Sequence, residues 1–193
     1  MAKEGQSRAL SEPEHQEFLV WLGSRRHAIR NIALIELGYR TGARIGSLAQ
    51  LLLSDVLNAD GSIKQVVILR SAIVKSGKTT RMFLVHERAR SALTEWLAVR
   101  PSVEGLDNVF TTQRSTAFSP NSLSHTVLRL YEHAGYEGCS AHGLRRSFAS
   151  NCLHSGADIV SLQTLLNHSN VNTTARYVQS DDATLTRIVS SAS

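Results

Sequence analysis

Apolar residues recur at helical spacing along most of this 193-residue chain, and one stretch of strand formers interrupts them. That single change of period constrains the fold more than anything else in the sequence. Ser11 offers an N-cap with Glu14 three residues on, and the helix that follows through Trp21-Leu22 should stop at Gly23. Ala28, Ile32, Ile35 and Tyr39 carry the helical period over about 25–39, and Thr41-Gly42 breaks it. Ile45, Leu48, Ala49 and Leu52 then mark a second buried helix ending near Asp55. Beyond the turn signal Asn58-Ala-Asp-Gly61, the runs Val66-Val-Ile-Leu69 and Arg81-Met-Phe-Leu-Val85 favour strands, with Ile73-Val74 between them. Lys75-Ser-Gly-Lys78 supplies the turn, so the hairpin tip should carry two lysines.

The helical period returns after His86. Ala89, Leu93, Trp96 and Leu97 share a face up to Pro101. Val109-Phe110 suggests a short extended piece, and Ser119-Pro120 is a helix start with serine as cap and proline at the first position. Leu123, Val127, Leu130 and Tyr131 form the next stripe, and Leu144, Phe148 and Cys152 another, closed by Gly156. Asp158 caps a short helix with Ile159, Leu162 and Leu166 on its apolar side. Asn172 could cap a turn containing Tyr177, and a last helix is expected over about 181–189. The expected fold is therefore mainly α with one small antiparallel β-sheet, an α+β arrangement.

Length and 42% hydrophobic content suit one domain with a real core. No apolar run approaches the ~20 residues of a membrane helix, and the polar start MAKEGQSRALSEPE does not read as a secretory signal. Cys139 and Cys152 cannot build a disulfide scaffold, and their spacing is not that of a metal site, so a reducing cytoplasm is the expected compartment. The net charge of +5 points only weakly to a polyanionic partner. The choice of cation says more, since 17 of the 21 basic residues are arginine, whose planar fork can clasp two phosphate oxygens together.

Three motifs are hard to explain by packing. In Thr41-Gly-Ala-Arg44-Ile an arginine follows a glycine break at a helix start, a place unfavourable to a cation unless an anion joins it. In His142-Gly-Leu-Arg145-Arg146 an imidazole and a guanidinium lie three apart on the first turn of a helix. Leu165-Leu-Asn-His168 puts a histidine after a residue that tolerates left-handed geometry, and Tyr177 follows nine residues later.

In this order and spacing the motifs resemble the catalytic domain of the tyrosine recombinase, or phage integrase, family. The resemblance covers roughly residues 10 to 180, through TGARIGSLAQLLLSDV, VKSGKTTRMFLV and SAHGLRRSFASNCLHSGADIVSLQTLLNHSNVNTTARYV. It implies a DNA breaking-rejoining fold and a site-specific recombinase that works through a 3′-phosphotyrosyl intermediate. It places the two phosphate-clamping arginines at Arg44 and Arg145, and the histidine of the H-x-x-R element at His142. The hairpin lysine falls at Lys75, with Lys78 as competitor. The second histidine falls at His168 and the nucleophile at Tyr177. The expected partners are double-stranded DNA and further copies of the chain in a tetrameric synapse on it, with neither membrane nor cofactor nor metal. The competing readings are a catalytically silent DNA-binding regulator and a type IB topoisomerase.

Two positions depart from the family pattern. Ser47 stands where members often carry an acidic residue, and Asn167 replaces the glycine of an L-G-H element. The expected organisation is a flexible tail over 1–10 and a single catalytic domain over 11–193, with no N-terminal core-binding domain. Such a chain is either an excised fragment or a minimal recombinase. Leu185, Ile188 and Val189 are expected to pack either on a neighbouring protomer or on their own domain.

Overall fold

A computed structural model of the protein describes residues 7–75 and 77–167. His168, Tyr177 and the expected 181–189 helix lie outside the described residues. Helix α1 (Glu12–Gly23) starts as the sequence suggests: the Ser11 amide donates to the Glu14 carboxylate at 2.8 Å, and the helix ends at Gly23. Helix α2 (Ala28–Thr41) closes with Gly42 in the left-handed region at φ 63°.

The sequence period suggested one apolar face for α2. Instead Ala33, Leu34, Ile35, Leu37 and Tyr39 are all buried, because helices α1, α5 (Glu87–Val99) and α7 (Ala141–His154) all pack around it. The approach of α7 is close. A Cβ at Gly38 would lie 2.8 Å from Leu144 Cδ1, and one at Gly42 would lie 2.4 Å from Phe148 Cδ1. Side-chain-free positions on α2 thus let α7 settle against it.

The second expected helix is two. Helix α3 (Ile45–Ala49) and helix α4 (Leu53–Val56) are separated because residues 107–109 recruit the intervening backbone. The Leu53 amide donates to the Asp107 carbonyl at 2.8 Å and the Val109 amide to the Leu51 carbonyl at 2.7 Å. Strands β1 (Val66–Leu69) and β2 (Thr80–Phe83) form the expected antiparallel hairpin, in register from Val66–Phe83 to Leu69–Thr80. Val67, Leu69 and Met82 face the core. Helix α6 (Pro120–His133) begins with the serine cap and proline read from the sequence. Helix α8 (Ile159–Leu166) is capped by the Asp158 carboxylate, which accepts from the Val160 and Ser161 amides.

Residues 7–10, expected to belong to a flexible tail, are docked instead. The Arg8 amide donates to the Gly138 carbonyl at 2.8 Å, and Leu10 is only 4% exposed. Extended backbone of this kind, paired to a distant segment, leaves no periodic trace in sequence.

A charged cluster is buried where α1 meets α2. Glu36 is 2% exposed; its carboxylate meets His15 Nε2 at 3.2 Å and accepts from Arg40 Nε at 3.2 Å. Burial by itself would raise the Glu36 carboxyl, but His15 and Arg40 outweigh it and hold the carboxyl below its usual range. A depressed carboxyl contributes stability that is present above its unfolded value and lost as pH falls through the folded one. Glu36→Gln should therefore lower stability at neutral pH by about 1–3 kcal/mol, the scale of a charge-assisted hydrogen bond, since Arg40 keeps its pairing with Glu12. Urea titrations at pH 7 and pH 4 should show the gap between variant and wild type shrinking in acid.

Candidate active site

The break at Gly42 sends the chain from α2 directly into Arg44, the residue before α3, in extended conformation. Residues 70–79 link the two strands and carry the lysines. Arg70 anchors the base of this link on Asp55 and on the Gln50 carbonyl. A 3₁₀ turn, Ser71–Ile73, leads into Lys75, and Gly77 takes φ 67° so that the chain can return. Helix α7 presents His142 and Arg145 from its first turn, with Ser140 as the cap.

These elements converge. Arg145 is only 5% exposed; its Nη1 donates to the Gly42 carbonyl at 2.6 Å and its Nη2 to the Leu166 carbonyl. One guanidinium thus ties the end of α2 to the end of α8. Arg44 and Arg145 line a single small cleft, together with Ser47 and Asn167. Asn167 has the left-handed conformation its sequence position suggested, at φ 48°. The residue before His168 is therefore part of the cleft wall.

His142 stands three residues before Arg145 on the same helix and is not among the residues that line the cleft. Partial burial and then the cations Arg145, Arg44 and Lys75 hold its imidazole below the ordinary histidine value. Lys75 and Lys78 are both exposed.

Sequence reasoning missed two contributors. Arg81 of β2 also lines the cleft, adding a third guanidinium. Its strand position was legible, but nothing local distinguished it from an ordinary surface arginine. Ser47 was noted only for lacking a carboxylate. It is buried, and its hydroxyl donates to the Ile73 carbonyl at 2.8 Å. The helix behind Arg44 is thereby bonded to the turn that delivers Lys75.

The three described tyrosines have packing duties. Tyr39 stacks on His15 at 3.6 Å between ring centroids, Tyr131 stacks on Phe18 at 4.6 Å, and the Tyr136 hydroxyl donates to the Glu14 carbonyl at 3.1 Å. Burial pushes all three phenols above their ordinary value. Among the described residues no group of histidine, cysteine, aspartate and glutamate could hold a metal ion, and no helix is long and apolar enough to cross a membrane.

The unit is mainly helical, carries a lysine-bearing hairpin, and gathers three arginines at one cleft. The chain belongs to the phage integrase family, which it matches over residues 8–184. It is similar to tyrosine recombinase XerC of Pseudomonas fluorescens, 32% identical over 166 residues, covering 86% of this chain and 53% of that protein. It is also similar to XerC of Haemophilus ducreyi, 32% identical over 162 residues, covering 83% of this chain and 51% of that protein. The chain thus spans about half the length of the curated relatives it matches.

Among solved structures, XerA recombinase is similar at a TM-score of 0.78 and 26% identity, over 97% of this chain and 66% of that one. XerH recombinase bound to its difH substrate is similar at 0.73 and 26%, over 98% of this chain and 55% of that one. The Tn1549 transposon integrase shares the fold at 0.78 and 16% identity, over 97% of this chain and 67% of that one.

Proposed function

We propose that this chain is the catalytic unit of a site-specific DNA recombinase, cleaving and rejoining duplex DNA through a tyrosine ester at a 3′-phosphate. The observation that carries this reading is the convergence of Arg44 and Arg145 on one cleft, with His142 three residues before Arg145 on α7. Transesterification at a phosphodiester builds negative charge on the non-bridging oxygens, and preorganised cationic donors are the largest available source of stabilisation. Arg44 and Arg145 hold those oxygens, with Arg81 at the rim and His168 as a further donor.

Tyr177 is the nucleophile. With an ordinary value near ~10, its phenol needs a base and a positive surrounding to attack at neutral pH. His142, whose imidazole is held below the ordinary histidine value, accepts that proton. Lys75 protonates the departing 5′-oxygen. Of the four tyrosines in the sequence, the three described ones sit in packing positions with raised phenols, which supports Tyr177 by elimination. The ester conserves the energy of the broken bond, so rejoining runs by the reverse step. Double-stranded DNA is the substrate, and copies of the chain assemble on it as a tetrameric synapse.

The test is a duplex carrying a nick near the cleaved bond, so that the short 5′-hydroxyl strand diffuses away. Accumulation of a covalent protein–DNA adduct is expected. DNA binding with no adduct on any cognate site would instead support a silent regulator.

The hydroxyl of Ser47 gives a finer prediction. Ser47→Ala leaves the Ile73 carbonyl without its donor and loosens the lysine turn. A lost hydrogen bond of about 1 kcal/mol corresponds to cleavage roughly five- to tenfold slower. A 5′-bridging phosphorothiolate, whose sulfur leaves without a proton, should restore most of that rate, and it should restore Lys75→Ala as well.

A further inference from the structure

The segment 7–10 is bonded to the same helix that presents His142 and Arg145, and by several independent contacts. The Arg8 amide donates to the Gly138 carbonyl at 2.8 Å, and Arg8 pairs in parallel with Cys139. The Ser140 hydroxyl donates to the Ser7 hydroxyl at 2.8 Å. Ser140 is also the cap of α7, accepting from the His142 amide at 3.3 Å. Further along, Arg146 Nη1 donates to the Ser7 carbonyl at 3.3 Å, and the buried Leu10 amide donates to the Ser147 hydroxyl at 2.8 Å. The far end is held to α2, where the Tyr39 hydroxyl donates to the Leu10 carbonyl at 3.4 Å.

Gly143 is what admits the segment. A Cβ there would lie 2.4 Å from the Arg8 carbonyl oxygen and 3.0 Å from the Ser7 hydroxyl. Glycine is otherwise a poor choice inside a helix, where alanine is favoured. At about 100° per residue positions 140, 143 and 147 fall on one face of the first two turns, 142 and 145 fall on the opposite one, and 146 lies between them. None of these hydrogen bonds engages the side chain of His142 or Arg145.

We propose that Ser7–Leu10 is a positioning strap: it sets the first turn of α7, and through it the placing of His142 and Arg145, with Gly143 the position that lets it seat. The proposal rests on the reading that these two side chains act on the scissile phosphate. Ser7, Gly143 and Ser147 are positioning residues, since none of them lines the cleft.

The test uses the full chain and Gly143→Ala, Ser147→Ala and the double variant. Adduct formation on the nicked duplex is followed from about pH 5 to 8, the window of histidine titration, beside thermal midpoints. Gly143→Ala should remain folded yet cleave at least about tenfold more slowly, because its methyl group displaces the strap. Its acid limb should move up toward the ordinary histidine value as His142 leaves its partly buried, cation-lined position. Ser147→Ala should lose less, and the double variant should be no slower than Gly143→Ala alone, since a displaced strap cannot be loosened twice.

A wild-type rate and pH profile in Gly143→Ala would overturn the proposal. So would losses that multiply in the double variant with an unshifted profile. If Gly143→Ala does not fold, Ser147→Ala carries the same test, and an unshifted profile in it overturns the strap. If wild type forms no adduct, the recombinase reading fails on its own. NMR titration of His142 in DNA-free protein then decides the strap, with a raised value in Gly143→Ala supporting it and an unchanged one refuting it.

Discussion

Tyr177→Phe is expected to bind DNA as the wild type does and to form no covalent adduct above background. Phenylalanine keeps the ring and removes only the oxygen, so packing and phosphate contacts persist while the nucleophile is gone. None of the described tyrosines can substitute. Tyr39 and Tyr131 are each 1% exposed, and the Tyr136 hydroxyl is already donated to a backbone carbonyl. Burial holds all three protonated further above neutrality than a free phenol. Gel shift and denaturing-gel assays on the same nicked duplex separate the two properties. A residual adduct in Tyr177→Phe would mean that the nucleophile has been misassigned.

Arg145→Ala should slow cleavage about 10³-fold, the usual scale for removing one preorganised donor from a developing oxyanion. The guanidinium has a second duty, which makes the loss larger than its charge alone would suggest. It donates to the Gly42 carbonyl at the end of α2 and to the Leu166 carbonyl at the end of α8. Truncation leaves both acceptors buried and unpaired, at about 1–3 kcal/mol each, and unties the chain just before Asn167 and His168. Arg145→Lys is the informative companion. It retains the charge, but a lysine cannot span two carbonyls and face the cleft with one planar fork. We expect its cleavage rate to fall nearly as far as that of alanine, with a smaller drop in thermal midpoint. Recovery to within about tenfold of wild type would show that charge alone is what the site needs from this position.

The parts of this fold that were legible in sequence are those whose causes are local. The Ser11 and Glu14 pair, the Gly42 break, the Asp158 cap and the left-handed Asn167 each depend on backbone within a turn of themselves. The hairpin was legible because strand formers cluster on both sides of a turn. The misreadings share the opposite character. The helix expected from Ile45 to Asp55 divides because residues 107–109 claim its backbone. The segment 7–10 is ordered by a helix more than 130 residues away, as the Ser140–Ser7 bond spans 133 positions.

The candidate site divides in the same way. Arg44, His142 and Arg145 stand in motifs that survive in order along the chain; the fold brings Arg44 and Arg145 to one cleft, with His142 three residues before Arg145 on α7. Arg81 and Ser47 carry no motif. Their relevance comes from the hairpin folding back over α3, and the acceptor for Ser47 lies 26 residues along the chain. A hydroxyl noticed in sequence only as a missing carboxylate turns out to have a defined partner.

The central claim is that Tyr177 becomes esterified to a DNA 3′-phosphate in a cleft lined by Arg44 and Arg145. The most direct measurement is to trap the adduct on a nicked duplex, digest both protein and DNA, and identify the linked residue and strand end by mass spectrometry. The expected product is the peptide containing Tyr177 carrying a 3′-phosphate nucleotide. A linkage at Tyr39, Tyr131 or Tyr136, at a serine, or to a 5′-phosphate would contradict it.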